Sequence, residues 1–259
     1  HIVTKRLFDH DKAYFFQGED GRIIFAIPYE TDFTLIGTTD AEHTDVNVKP
    51  VATDEEQDYL VAFINQYFET PVTRADIVWT YSGVRPLYDD GAKSATAATR
   101  DYVLTLNDDG APLLNIFGGK ITTYRKLAEN ALKKLGHEDK WTAGVPLPGG
   151  DFAVDGVDEL HRDLMRAYPF VAESWARRLI RAYGTNAAVM LGDAKAQADL
   201  GGEFGATLTA RELDWLKDQE FAQTGEDVVW RRSKLGLRLT SDQIAAIDDY
   251  LQSEMGNDQ

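Results

Sequence analysis

The spacing of apolar and polar positions changes along the chain, and each change marks an element. Between residues 12 and 40 the apolar residues fall in short blocks: Ala13-Tyr14-Phe15-Phe16, then Arg22-Ile23-Ile24-Phe25-Ala26-Ile27-Pro28, then Phe33-Thr34-Leu35-Ile36-Gly37. Gly18-Glu19-Asp20-Gly21 and Glu30-Thr31-Asp32 separate them. Blocks rich in β-branched and aromatic residues, bounded by turn formers, predict antiparallel strands in a meander. His1-Ile2-Val3 is strand-like from its first residue. From Thr53 the period lengthens: Thr53-Asp54-Glu55-Glu56 has the form of a capping box, and Tyr59, Leu60, Phe63, Ile64, Tyr67 and Phe68 follow at helical spacing until Pro71. Strands are predicted again over 77–81, 102–106 and 113–117, the last two joined by Asn107-Asp108-Asp109-Gly110. A helix over 122–135 ends at Gly136.

Beyond Pro146-Leu147-Pro148-Gly149-Gly150 helical periods dominate, over 156–167, 170–182, 184–193, 209–221, 225–232 and 241–254. Thr209 with Glu212, Gly225-Glu226-Asp227 and Thr240-Ser241-Asp242 supply helix starts. The predicted fold is therefore α+β: an antiparallel sheet domain with helices over 1–146, then an all-α domain over 147–259.

Composition narrows the chemistry. The 259 residues carry a formal charge of −16, and acidic residues outnumber basic ones both before and after residue 150. Such a field repels nucleic-acid phosphates and anionic lipid, so no nucleic-acid partner is expected, and an anionic ligand needs a local cluster of positive groups. The absence of cysteine excludes disulfides, thiolate metal sites and cysteine nucleophiles, and makes the cytoplasm the default compartment. No apolar stretch is long enough to span a membrane, and no signal-peptide layout opens the chain; without an initiator Met it reads as a fragment. His1, His10, His43, His137 and His161 lack metal-ligand spacing, so no metal is expected.

Two clusters could carry chemistry. Phe117-Gly118-Gly119-Lys120-Ile121-Thr122-Thr123 runs from a predicted strand into a predicted helix. Paired glycines allow a ligand to approach the backbone, and a helix start offers free N–H groups with partial positive charge, which suits an anion or polarised carbonyl. A plain glycine turn with Thr122 as N-cap fits equally well. Arg85, fixed by Pro86 after a strand end, and Arg100, just before the next strand, could grip a phosphate bidentately, although each taken singly reads as a surface ion pair. Asp89-Asp90 and Asp108-Asp109 read as solvated turn carboxylates, Gly201-Gly202-Glu203-Phe204-Gly205 as a loop, and Trp230-Arg231-Arg232-Ser233-Lys234 as a partly ion-paired face.

Taken together, Ile36-Gly37-Thr38-Thr39-Asp40, Trp79-Thr80-Tyr81-Ser82-Gly83-Val84-Arg85-Pro86-Leu87, Thr99-Arg100-Asp101-Tyr102, Phe117 through Ala128 and Val229 through Lys234 resemble the aerobic, FAD-dependent glycerol-3-phosphate dehydrogenases. The resemblance covers essentially the whole chain in the same order. It implies a substrate-binding domain with the strand and helix that complete an FAD site, then a helical C-terminal domain. Under it, Arg85 and Arg100 are similar to the family's substrate-phosphate arginines, Lys120 to its active-site lysine and His1 to its active-site histidine. Gly118, Gly119, Lys120, Thr122 and Thr123 are implied to face the cofactor. No G-x-G-x-x-G occurs, so the cradle for the rest of the FAD is expected upstream, and the piece alone is expected to retain no FAD and show no activity.

The reaction implied is oxidation of glycerol 3-phosphate to dihydroxyacetone phosphate, with electrons passed to a quinone and peripheral attachment to the inner face of the cytoplasmic membrane. An oxygen-using glycerol-3-phosphate oxidase is the alternative enzyme, and a non-catalytic interaction module the alternative for the isolated piece. A homo-oligomer is left open.

Overall fold

The computed structural model describes residues 1–45, 47–88 and 100–257, with side chains described up to Ser253. The described chain forms two compact units, His1–Gly144 and Val145–Gln259.

In the first unit, β1 (Ile2–Lys5), β2 (Tyr14–Gln17), β3 (Ile23–Tyr29), β4 (Phe33–Gly37) and β5 (Ile77–Thr80) form an antiparallel sheet in the order β2-β3-β4-β1-β5. β2, β3 and β4 are the predicted meander; β1 inserts between β4 and β5, with Ile2 in register with both Ile36 and Thr80. Strand alternation sends Ile24, Ala26, Ile36 and Ile2 to one face, where they bury against Leu60, Phe63 and Ile64 of α1 (Asp54–Ile64). The other face is only partly covered among the described residues, and Phe15 remains 60% exposed.

The capping box of α1 forms as predicted: Glu56 N–H donates to Thr53 Oγ1 at 3.2 Å and Thr53 N–H to Glu56 Oε2 at 2.9 Å. The helix ends earlier than its apolar period suggests. Asn65 donates to the Val72 carbonyl and accepts from the Val72 N–H, both at 2.8 Å, which turns the chain back and leaves Tyr67 and Phe68 outside the helix. These two rings instead pack around Phe16 with Phe8 and Tyr14. A hairpin of β6 (Tyr102–Asn107) and β7 (Leu113–Gly118) follows, then a single 3-10 turn (Ile121–Thr123) and α2 (Tyr124–Lys134).

The second unit packs α3 (Val157–Ala167), α4 (Glu173–Tyr183), α5 (Asn186–Leu191), α6 (Ala210–Glu220) and α7 (Ser241–Asn257) around one apolar core that includes Trp175, Leu179, Leu213, Leu216 and Ile247. The Gly201–Gly205 stretch is more ordered than a plain loop, because β8 (Glu203–Gly205) pairs with β9 (Leu208–Thr209). Thr209 precedes α6 without capping it, and Glu212 does not reach back to it. Glu212 is buried and receives Arg178 at 2.6 and 2.7 Å and the Tyr183 hydroxyl at 2.7 Å. The segment predicted as a helix near 225–232 winds as a π-helix over Asp227–Arg232, with Ser233 N–H donating to the Val228 carbonyl at 3.0 Å. Its basic residues are held locally: Arg231 pairs with Asp227 at 2.9 Å, Arg232 donates to the Glu220 carbonyl at 2.7 Å, and Lys234 Nζ reaches the Trp230 and Ser233 carbonyls.

Candidate functional site

Three strand ends meet at one edge of the five-stranded sheet: the start of β1, the end of β4 and the end of β5. This follows from the register, since β1 runs antiparallel to both neighbours. His1 sits at that edge. Its imidazole stacks on Tyr81 with centroids 4.7 Å apart and planes 6° off parallel. It also lies against Gly37, where a Cβ would come within 2.8 Å of His1 Cγ.

The residues after Gly37 reach the other candidate groups. Thr39 Oγ1 donates to Glu56 Oε1 at 2.7 Å, anchoring the segment to the start of α1. Burial raises the Glu56 carboxyl, but the hydrogen bonds from Thr39 and from the Thr53 N–H outweigh it and hold it below the usual carboxylate range. Asp40 Oδ1 pairs with Arg85 Nη1 at 3.3 Å, and both side chains are 51% exposed. An ion pair this open is weak, so the guanidinium can exchange its partner for a ligand anion. Two phenols stay neutral, Tyr29 at the end of β3 opposite Phe33 and Tyr81 beside His1. Tyr29 is pushed up to about 12 by burial, then by Glu30 and Tyr81, and burial pushes Tyr81 up as well.

Gly118 joins the two arginine segments. Its φ is +66°, and a Cβ there would lie 3.2 Å from the Asp101 carbonyl and 3.5 Å from the Pro86 carbonyl. Pro86 follows Arg85 and Asp101 follows Arg100, so both arginine segments converge on this glycine. Gly119, with φ +105°, continues the open backbone. The helix start has no Thr122 cap, which the plain-turn reading required, because Thr122 lies inside the 3-10 turn. Lys120 precedes the 3-10 turn, its carbonyl accepting from Thr123 N–H and Oγ1 at 3.0 Å each, and no side chain caps the first turn of α2. Lys120, Thr122 and Arg100 are exposed. The structure thus gathers His1 and Arg85 through residues 37–40, and Arg85 and Arg100 around Gly118; Lys120, Thr122 and Thr123 adjoin through the chain. Asp89-Asp90 lie outside the described residues.

Asp40, Glu56 and Tyr81 have no part in the site by the sequence alone, although all three lie in quoted segments. Nonlocal contacts bring them there: the pairing of β1 with β5 for Tyr81, the Thr39 bond for Glu56 and the Arg85 ion pair for Asp40. Among the described residues no group of three or more His, Asp or Glu is arranged to hold a metal ion.

Residues 1–125 match the family model described as FAD dependent oxidoreductase, and 140–259 match the C-terminal domain of alpha-glycerophosphate oxidase. The aerobic glycerol-3-phosphate dehydrogenase of Escherichia coli (strain K12) is 45% identical over 259 residues, a stretch that takes in 97% of this chain and 51% of that protein. Over nearly its whole length the chain is similar to FAD-dependent glycerol-3-phosphate dehydrogenases. The D-erythritol 1-phosphate dehydrogenase of Brucella abortus (strain 2308) is 38% identical over 260 residues, covering 98% of this chain and 52% of that protein. The X-ray structure of the glycerol-3-phosphate dehydrogenase from Bacillus halodurans, complexed with FAD, superposes with a TM-score of 0.70 at 27% identity, covering 98% of this chain and 55% of that one. The chain spans about half the length of the curated relatives it matches.

Proposed function

We propose that this chain supplies the substrate anchors and one wall of the flavin site of an enzyme that oxidises glycerol 3-phosphate to dihydroxyacetone phosphate. The observation that carries the reading is the convergence of the Arg85 and Arg100 segments on Gly118, with His1 tied to Arg85 through Gly37–Asp40. In a strongly acidic chain, two arginines whose segments meet at one glycine suit a phosphate dianion.

The residues present fit FAD. Gly118 and Gly119 bare backbone where side chains would be crowded or strained, and an uncapped helix start follows, so a flat group carrying partial negative charge can approach closely. Gly118, Gly119, Lys120, Thr122 and Thr123 would hold it. When bound, FAD supplies a hydride acceptor for the substrate C2. The chain's own residues do the rest. Arg85 and Arg100 bind the phosphate and fix C2, His1 takes the proton of the C2 hydroxyl, and Lys120 with the start of α2 adds positive charge on the cofactor side.

The test is Arg85→Ala in the full-length enzyme. Loss of one charged anchor raises KM for glycerol 3-phosphate by about tenfold or more, the scale of a charge-assisted hydrogen bond. An unchanged KM removes Arg85 from the phosphate site.

For the electron acceptor the proposal is a quinone, with peripheral membrane attachment on the cytoplasmic side; the Escherichia coli relative is named a dehydrogenase rather than an oxidase, which suits an acceptor other than oxygen. No helix among the described residues is long and apolar enough to cross a membrane. A second reading, with oxygen as acceptor, is favoured by the match of 140–259 to a domain named for alpha-glycerophosphate oxidase. Stoichiometric peroxide in the absence of quinone selects that reading.

A further inference from the structure

Proton abstraction by an imidazole requires the ring to be held, because a His side chain otherwise samples several rotamers. In this structure β4 and β5 flank β1 on opposite sides, and each brings one residue against the His1 ring. From β4 comes Gly37, where a Cβ would lie within 2.8 Å of His1 Cγ and 2.9 Å of Nε2, so any larger residue would displace the imidazole. From the end of β5 comes Tyr81, stacked at 4.7 Å and 6°. Tyr81 is itself immobilised. Its N–H donates to the His1 carbonyl at 3.1 Å, and its ring stacks on Trp79 with centroids 5.0 Å apart. Trp79 is in turn set in register with Val3 of β1.

We propose that Tyr81 is the positioning residue for His1, acting through its ring rather than its hydroxyl, and that Gly37 provides the clearance that lets the imidazole lie flat between the two strands. The inference rests on the reading of His1 as the group that accepts the C2 hydroxyl proton. Tyr81 is half-buried beside the imidazole, and the near-parallel stack confines the ring to one plane. Confinement matters because a displacement of about 1 Å in a catalytic group costs on the order of a hundredfold in rate.

The experiment uses the full-length, flavin-loaded enzyme with glycerol 3-phosphate and an artificial electron acceptor. Tyr81→Leu removes the stack and lowers kcat by roughly ten- to a hundredfold, while KM stays within about threefold because the phosphate anchors are untouched. Tyr81→Phe keeps the ring and recovers most of that loss. In a His1→Asn background, Tyr81→Leu adds no more than about twofold, since a residue that acts through His1 has nothing left to position. Gly37→Ala disturbs the ring from the other strand and reproduces the kcat loss; it also decides the matter if Tyr81→Leu yields no folded protein. Flavin content and thermal midpoint are followed for each variant.

The inference is overturned if Tyr81→Phe is as damaging as Tyr81→Leu, if the effects of Tyr81→Leu and His1→Asn multiply, or if folded Tyr81→Leu or Gly37→Ala keeps full kcat. The two layers separate cleanly. Full activity in His1→Asn sinks the proton-acceptor reading itself, whereas an inactive His1→Asn with fully active Tyr81→Leu sinks only the role of Tyr81.

Discussion

Single residues here do work that their type alone does not announce. Glu212 occupies a position that pattern reading takes for the third residue of a capping box, yet it is 1% exposed and bound by Arg178, Tyr183 and no helix N–H. Its burial is tolerable because every strong partner is present: the guanidinium grips it bidentately, and Tyr183, its own hydroxyl pushed up by burial and by Glu212, stays protonated and donates. Glu212→Ala removes the bidentate partner of Arg178 and the acceptor of the Tyr183 hydroxyl, and is expected to cost about 3 kcal/mol or more, read as a fall in the urea midpoint of unfolding. Glu56 makes a different prediction. Its carboxyl lies below its ordinary value in the folded chain, so its contribution is present above the unfolded value near 4.5 and is lost as pH falls through the lower folded value. Thr39→Val removes one of the bonds that hold it down. The variant is therefore expected to show a smaller loss of stability on acidification below about pH 4.5 than the parent, measured as thermal midpoint against pH.

At the scale of elements, ends are set by side chains reaching across the chain more than by period. The apolar spacing of Tyr59 through Phe68 is continuous, and it is Asn65, bonded both ways to Val72, that stops α1. Asn65→Ala leaves the Val72 N–H and carbonyl without those bonds, and Val72 is 3% exposed. The loss is expected to be about 1–3 kcal/mol, with hydrogen exchange at Val72 accelerating more than at Ile24 in the sheet centre. The segment 146–150 illustrates the same rule in the second unit. Its prolines and glycines look like a linker, but the Gly149 carbonyl accepts from Thr185 N–H at 3.0 Å, and Gly149 and Gly184 pack backbone to backbone with positive φ at both. Their lack of Cβ atoms is what permits that contact.

At the scale of the whole molecule, Lys120 and Thr122 at the helix start are exposed among the described residues, and the matched relatives are about twice as long. The 259 residues expressed alone are accordingly expected to carry no flavin absorbance after desalting and to show no turnover. Tight flavin retention would show that the cofactor is held by this chain alone. The acidic charge of −16 also has a molecular consequence: it opposes a phosphate substrate at long range, where salt screens most, so the two arginines must act at contact distance.

What the sequence determined by itself is what short-range physics controls. Alternation and turn residues located the meander β2-β3-β4, the capping box of Thr53 and Glu56 began α1, and Asn107-Asp108-Asp109-Gly110 closed the β6–β7 hairpin. Arg85, Arg100 and the Gly118-Gly119-Lys120 turn were legible as charged or glycine-rich punctuation beside strand ends. The tertiary structure decided the rest, because its causes lie far apart in the chain. β1 slips between β4 and β5, and that single insertion sets His1 between Gly37 and Tyr81. Thr39 finds Glu56, Asp40 finds Arg85, and Glu212 leaves its helix start for Arg178. None of these pairs is written in local spacing; each forms because burying one sheet face under α1, or closing the helical core, brings groups together that must then satisfy one another.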